Sequence, residues 1–284
     1  VVYTDGQSVK NLATSGAYSL YAVWEANPYT INYYFNNTLL GTSSHTYDKT
    51  QVLKDVSNFT YSNPGYTFTG WGTSKNGSVV YKNGAEIKNL TTVNGGKVNL
   101  YMIFTANKYT VTFNPNGGTV SPTTKEVTYN STYGELPTPT KTGYYFQGWY
   151  LNGSQIKTDT IVKITSNTTL TAQWSENKYT IHYVDRGKEV GTSEHVYNSS
   201  KKLLTDTDLN ISKTGYYLFG WSKSSTSSKA DYVNGDEVKN LTSEKDGNVY
   251  LYAIWMAKGY TLNFDANGGS VSTKSKSVTY DSAI

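Results

Sequence analysis

Three copies of one short pattern constrain this chain more than any other feature. "GYTFTGWG" (65–72), "GYYFQGWY" (143–150) and "GYYLFGWS" (215–222) share a Gly-Tyr pair and a Gly-Trp pair at fixed spacing. A strand-like ending also recurs, "LYAVW" to Trp24, "LYMIF" to Phe104, "LTAQW" to Trp174 and "LYAIW" to Trp255. All 6 tryptophans therefore occupy two repeat positions, Trp71, Trp149 and Trp221 in the middle and Trp24, Trp174 and Trp255 at the end. Four residues follow each ending before a new beginning at Tyr29, Tyr109, Tyr179 or Tyr260, and these beginnings lie 80, 70 and 81 residues apart. Such a period marks a repeat array. It predicts a long repeat at 25–105, a short one at 106–175 and a long one at 176–256. The closing part of a repeat is expected at 1–24 and an opening hairpin at 257–284. A constant short joint without Gly/Ser enrichment predicts tight head-to-tail connections rather than tethers.

Each beginning alternates with period two, as in Tyr29, Ile31 and Tyr33 against Thr30 and Asn32, which predicts a strand with one buried face. Turn residues follow ("NPNGG", "DANGG", "FNNT", "DRGK"), then a second strand, giving a hairpin. The segments 49–59 and 200–210 place apolar residues partly at helical spacing and are expected to hold a short helix. The two prolines of "GELPTPTKTG" allow little more than one turn in the short repeat. The abundance of Tyr, Thr, Asn, Ser and Gly points to strands and turns throughout.

The opening "YTVTFNPNGG", the middle "GYYFQGWY" and the ending "LTAQW" resemble the Listeria/Bacteroides repeat family, to which internalin B repeats belong. The resemblance covers nearly the whole chain. The long repeats depart from it by lacking the Asn-Gly-Gly turn and by insertions at 88–97 and 239–248. The resemblance implies a strand-dominated α+β fold, β-grasp-like, in tandem, in secreted or wall-attached bacterial proteins that are often adhesins. Parallel first and last strands would place a unit's termini at opposite ends, so repeats stack into a rod. Three complete repeats would then span on the order of 100 Å.

No catalytic constellation is evident. There is no cysteine, and hence no thiolate or disulfide chemistry. His45 and His195 hold equivalent places in the long repeats and His182 a polar strand position; all three are expected on strand surfaces. The acids Asp236 and Glu237 correspond to Ala85 and Glu86, so no carboxylate pair recurs. "DANGG" lacks the ligand ladder of a calcium loop. Neither metal nor cofactor is expected. Lysines interleaved with acids and a single arginine, Arg186, argue against nucleic acid. No apolar run reaches a membrane span and the start has no signal-peptide regions, so signal and anchor are expected outside this segment. The end fragments are expected to be a window on a longer array; the competing expectation is that they associate head to tail between molecules.

Within the Gly-Trp element, Tyr66, Tyr144, Tyr216, Phe68, Phe146 and Leu218 recur and are expected in the core. Gly70, Gly148 and Gly220 are expected to form a bulge that swings the following tryptophan inward. The variable positions Tyr145, Gln147, Tyr150, Tyr217 and Phe219 remain as candidate contacts. In the closing strand Tyr101, Ile103, Tyr252 and Ile254 demand a cover, expected from the long-repeat insertions. The function expected is a non-enzymatic stalk of a large bacterial surface or secreted protein. The alternative is that exposed aromatics bind glycan, host protein or like arrays, with lateral or head-to-tail self-association among the partners considered.

Overall fold

The computed structural model describes residues 2–283. They form two compact units, one taking residues up to 109 with 128–131 and 161–166, the other taking the remainder. In the first, β1 (Pro28–Phe35) and β2 (Thr38–Thr46) form the opening hairpin, β3 (Tyr66–Gly72) carries Gly-Trp and β4 (Gly96–Ala106) closes the repeat. The sheet order is β2-β1-β4-β3, with β1 antiparallel to β2 but parallel to β4. Period-two alternation buries Tyr29, Ile31 and Tyr33 on one face, where they meet Trp71, Leu100 and Met102. The Tyr33 ring stands edge-on to Trp71 at 4.9 Å.

The short repeat supplies β5 (Lys108–Asn114), β6 (Thr124–Thr128), β7 (Tyr144–Leu151), β8 (Ser154–Ile156) and β9 (Thr168–Glu176) in the order β8-β7-β9-β5-β6. The second long repeat supplies β10 (Lys178–Asp185), β11 (Lys188–Val196), β12 (Tyr216–Ser222), β13 (Tyr232–Val233) and β14 (Gly247–Ala257) in the order β11-β10-β14-β12-β13. In each, the first and last strands are again parallel. A final hairpin joins β15 (Gly259–Asn263) to β16 (Ser275–Thr279).

The expected helices are nearly absent. Among the described residues, helix amounts to a 3-10 turn at Val56–Asn58 and one α-turn at Asp206–Leu209, so the fold is strand-dominated without a real α layer. Local polar bonding wins over propagation. Leu53 and Leu203 donate their amides to Ala85 O and Asp236 O, and Lys54 N–H and Leu204 N–H go to the hydroxyls of Tyr33 and Tyr183. The α-turn starts in a Thr205–Asp208 capping box and stops at Asn210 in the left-handed region.

The Gly-Trp strands are bulged at the glycine. Pairing passes from Phe68↔Phe104 to Gly70↔Ile103, from Phe146↔Trp174 to Gly148↔Gln173, and from Leu218↔Trp255 to Gly220↔Ile254. One residue is skipped each time, which lets Phe146 and Trp149 share a face. Gly148 has φ 143°, and a Cβ there would overlap the Gln155 amide. Trp71, Trp149 and Trp221 are fully buried.

Residues 2–24 carry no strand, and Trp24 is 89% exposed. The first insertion bonds at the repeat's entry, where Asn27 Nδ2 donates to Thr92 O and Gly95 N–H to Pro28 O. On the second sheet face Tyr34 stacks on Tyr101 at 5.2 Å, and the chain returning through Ser78 passes close to Gly72 and Ile103. Tyr101, Ile103 and Tyr252 are half-buried and Ile254 is buried.

Candidate functional site

The Gly-Tyr pairs expected in the core instead build three equivalent joints. Asn107 N–H donates to Gly65 O (2.9 Å), and Asn107 O accepts from Tyr129 N–H (2.8 Å). The same relay runs from Gly143 through Asn177 to Tyr197 (2.9 and 2.8 Å), and from Gly215 through Lys258 to Tyr280 (2.8 and 2.9 Å). Each incoming tyrosine sits over the glycine and edge-on to the tyrosine beside it, Tyr66–Tyr129 at 5.2 Å, Tyr144–Tyr197 at 5.9 Å and Tyr216–Tyr280 at 5.8 Å. A Cβ on any of these glycines would lie inside the incoming ring. Behind each incoming tyrosine comes a left-handed residue, Asn130, Asn198 or Asp281, which turns the hairpin back. The joint tyrosines were not singled out from sequence, although Tyr-Asn/Asp after the second strand recurs as faithfully as Gly-Trp.

The variable positions differ in exposure. Tyr145 is 48% exposed, with the Lys245 ammonium 4.1 Å from its ring centroid. Tyr217 is 44% exposed, and its hydroxyl meets Met256 Sδ at 3.7 Å. Gln147 is exposed and its carbonyl accepts from Gln155 Nε2, while Tyr150 and Phe219 are half-buried. The strand-end residues Phe104, Trp174 and Trp255 are half-buried; Trp174 Nε1 donates to Pro115 O (2.9 Å) and Trp255 Nε1 to the buried Asp185 Oδ1 (2.9 Å).

The joint at Asn177 borders an open groove of 760 Å³, lined among others by Gly118, Lys141, Tyr144, Tyr145 and Trp174. Asn177 is itself 7% exposed; its Nδ2 donates to Ser243 O, and its Oδ1 has no partner among the described residues. The Lys141 ammonium lies 4.3 Å from the Tyr144 ring centroid and 5.9 Å from that of Trp174.

The long-repeat histidines are buried, not on the surface: His45 is 3% and His195 1% exposed. Each ends a chain of bonds from an inward tyrosine, Tyr33–Ser43–His45 (3.0 and 2.7 Å) and Tyr183–Ser193–His195 (3.1 and 2.9 Å). A main-chain amide donates to each tyrosine hydroxyl, so the protons run toward His Nε2. Burial lowers the pKa of both imidazoles, that of His195 to about 4 with help from Lys201. They are structural, neutral groups. His182 is different: its Nε2 meets Asn248 Oδ1 (2.8 Å) and its Nδ1 meets Glu189 Oε2 (2.7 Å), and its ring stacks on Tyr250 at 4.7 Å. Those two acceptors raise its pKa, the Asn248 bond most. Among the described residues no three His, Asp or Glu side chains converge as a metal site, and no helix is long and apolar enough to cross a membrane.

The sequence profile of the Listeria-Bacteroides repeat domain matches residues 29–101, 109–173, 179–254 and 260–284. The chain belongs to this repeat family. Among its relatives, a Gly-rich membrane protein of Evansella cellulosilytica is 30% identical over 261 residues, covering 89% of this chain and 28% of that protein. Internalin H of Listeria monocytogenes is 37% identical over 116 residues, 40% of this chain and 20% of its own length. The chain thus spans under a third of either relative. Among solved structures, the Bacillus anthracis TIE protein (8% identity, TM-score 0.27, 81% of this chain and 51% of that one) is too distant to carry an argument. The same holds for the type 2 repeat of the Lactobacillus reuteri mucus binding protein MUB (12%, TM-score 0.20, 82% and 100%).

Proposed function

We propose that this segment is a non-catalytic stalk in a large bacterial cell-surface or secreted protein, an adhesin, built of β-grasp-like repeats at 25–105, 106–175 and 176–256. In this reading 1–24 and 257–284 belong to neighbouring repeats. The hairpin-first, parallel-last strand order supports the β-grasp description. The observation that carries the stalk reading is the joint: three times, a glycine carbonyl, a linker amide and an incoming tyrosine fix one repeat's hairpin to its predecessor. Two backbone hydrogen bonds and a ring packed on glycine restrict a joint that would otherwise swing on four residues. Kinship with internalin H, a repeat-bearing relative, supports the surface location.

The test is orientation. Residual dipolar couplings measured on the intact chain should fit one alignment tensor for repeats joined at Gly65 and at Gly143. Separate tensors of differing magnitude, reporting independent tumbling, would refute the stalk.

A further inference from the structure

We propose that Asn27, Tyr47 and Asp48 form the incoming half of a fourth joint, and that the surface they make takes the Gly-Tyr strand end of another repeat of this family placed ahead of residue 25. The inference rests on the stalk reading and deepens it by naming the partner of one more joint. Comparison of four equivalent places in the chain carries it. Asn27 O accepts from Tyr47 N–H at 2.8 Å, as Asn107 O, Asn177 O and Lys258 O accept from Tyr129, Tyr197 and Tyr280. Asp48 behind Tyr47 is left-handed (φ 63°), as are Asn130, Asn198 and Asp281. Asn27 Nδ2 donates to Thr92 O, the bond that Asn177 Nδ2 makes to Ser243 O in the other long repeat. Asp48 N–H goes to Asn89 Oδ1 just as Asn198 N–H goes to Asn240 Oδ1. The incoming half is thus fully built.

What it lacks is the seat. At the other three joints the linker amide donates to a glycine carbonyl, and that glycine lies under the tyrosine ring. Among the described residues Asn27 N–H meets no carbonyl, and no glycine has its Cβ place filled by the Tyr47 ring. The three filled seats define what fits there. A Cβ at any of them would lie inside the ring, so the residue under Tyr47 is a glycine. Its neighbour is a tyrosine on two counts. The seat ring meets the incoming ring edge-on, and the seat hydroxyl meets the left-handed residue: Asn198 Nδ2 reaches Tyr144 OH at 3.4 Å, and Tyr216 OH donates to Asp281 Oδ2 at 2.9 Å. Asp48 is an aspartate like Asp281, and its side chain is 70% exposed although Lys88 meets Oδ1 at 2.8 Å. It remains open to accept from a tyrosine hydroxyl. A second copy of this chain does not supply the seat, because Gly65, Gly143 and Gly215 already carry Tyr129, Tyr197 and Tyr280.

The experiment replaces residues 1–24 by a second copy of residues 106–174, which brings its own Gly143 and Tyr144 ahead of Glu25. A second extension uses residues 176–255, which bring Gly215 and Tyr216. Hydrogen exchange of the Asn27 amide, followed by NMR, is the readout. In the parent chain that amide should exchange freely at every protein concentration. In both extended chains its protection should rise at least about tenfold, toward that of Asn177. Gly143→Ala made in the added copy alone should abolish the rise, and Tyr144→Phe there should reduce it. Protected amides around the added tryptophan establish that the extension is folded. Unchanged exchange of Asn27 behind a folded extension, or a rise that survives Gly143→Ala, would overturn the proposal. Protection in the parent that grows with concentration would overturn it too, by assigning the surface to a second copy. None of these outcomes bears on the alignment tensors across Gly65 and Gly143, so the stalk reading is tested apart.

Discussion

Gly143→Ala is the sharpest probe of the joints. Gly143 has φ 78°, where an L-residue costs about 1 kcal/mol more than glycine, and its Cβ would fall on the Tyr197 ring. The ring must move, giving up an edge-on contact with Tyr144 worth about 0.5–1.5 kcal/mol and straining the 2.9 and 2.8 Å bonds through Asn177. The sum is about 2–3 kcal/mol, confined to the joint. Gly153→Ala is the control: φ is 81° there too, but a Cβ meets nothing within 4 Å, so only the backbone term of about 1 kcal/mol applies. Native-state hydrogen exchange reads the difference. Protection of the Asn177 and Tyr197 amides should fall by roughly 30- to 150-fold in Gly143→Ala, while amides around the buried Trp149 stay unchanged. Unchanged protection at Asn177 and Tyr197, or a loss equal to that in Gly153→Ala, would show that the tyrosine does not lock the joint.

The buried histidines predict an acid-labile pattern. His195 has a folded pKa of about 4 against 6.5, so its neutral burial contributes fully above pH 6.5 and is lost as pH falls to about 4, on the order of 2 kcal/mol after allowance for solvent relaxation. Exchange protection of the second long repeat should drop over that window, and that of the short repeat, which has no histidine, should not track it. His182 has the opposite sign: its raised pKa favours the imidazolium, a contribution present at low pH and lost as pH rises through the folded value. An NMR titration should place its midpoint above that of a model histidine, and Asn248→Ala should lower it. At the bulge, Gly220→Ala would push a Cβ into Tyr232 O and should destabilise the second long repeat by about 2 kcal/mol or more by chemical denaturation.

Hydrophobic periodicity made the strands readable: Tyr29, Ile31 and Tyr33 alternate, and each Gly-Trp pair showed where alternation must change face. The crossovers misled because Val52, Leu53 and Val56 mimic helical spacing. Only the structure shows Tyr33 OH and Asn83 Oδ1 taking the amides of Lys54 and Val56. His45 and His195 looked like surface residues because their neighbours are Ser and Thr; burial became sensible once Ser43 and Ser193 were seen linking them to inward tyrosines. Tyr145 looked free for contact because the Lys245 ammonium that lies against its ring stands 100 residues further along the chain. Tertiary placement of that sort leaves no local trace.

The final hairpin carries a consequence for how such a chain is made. Tyr280 of that hairpin is seated on Gly215 and Tyr216 as Tyr129 is on Gly65 and Tyr66 and Tyr197 on Gly143 and Tyr144. The seat of each incoming tyrosine, Gly65, Gly143 or Gly215 with its neighbouring tyrosine, belongs to the preceding repeat. A ribosome delivering this chain from its amino end would hand each hairpin a prepared template, so that growth proceeds in order, one seat at a time.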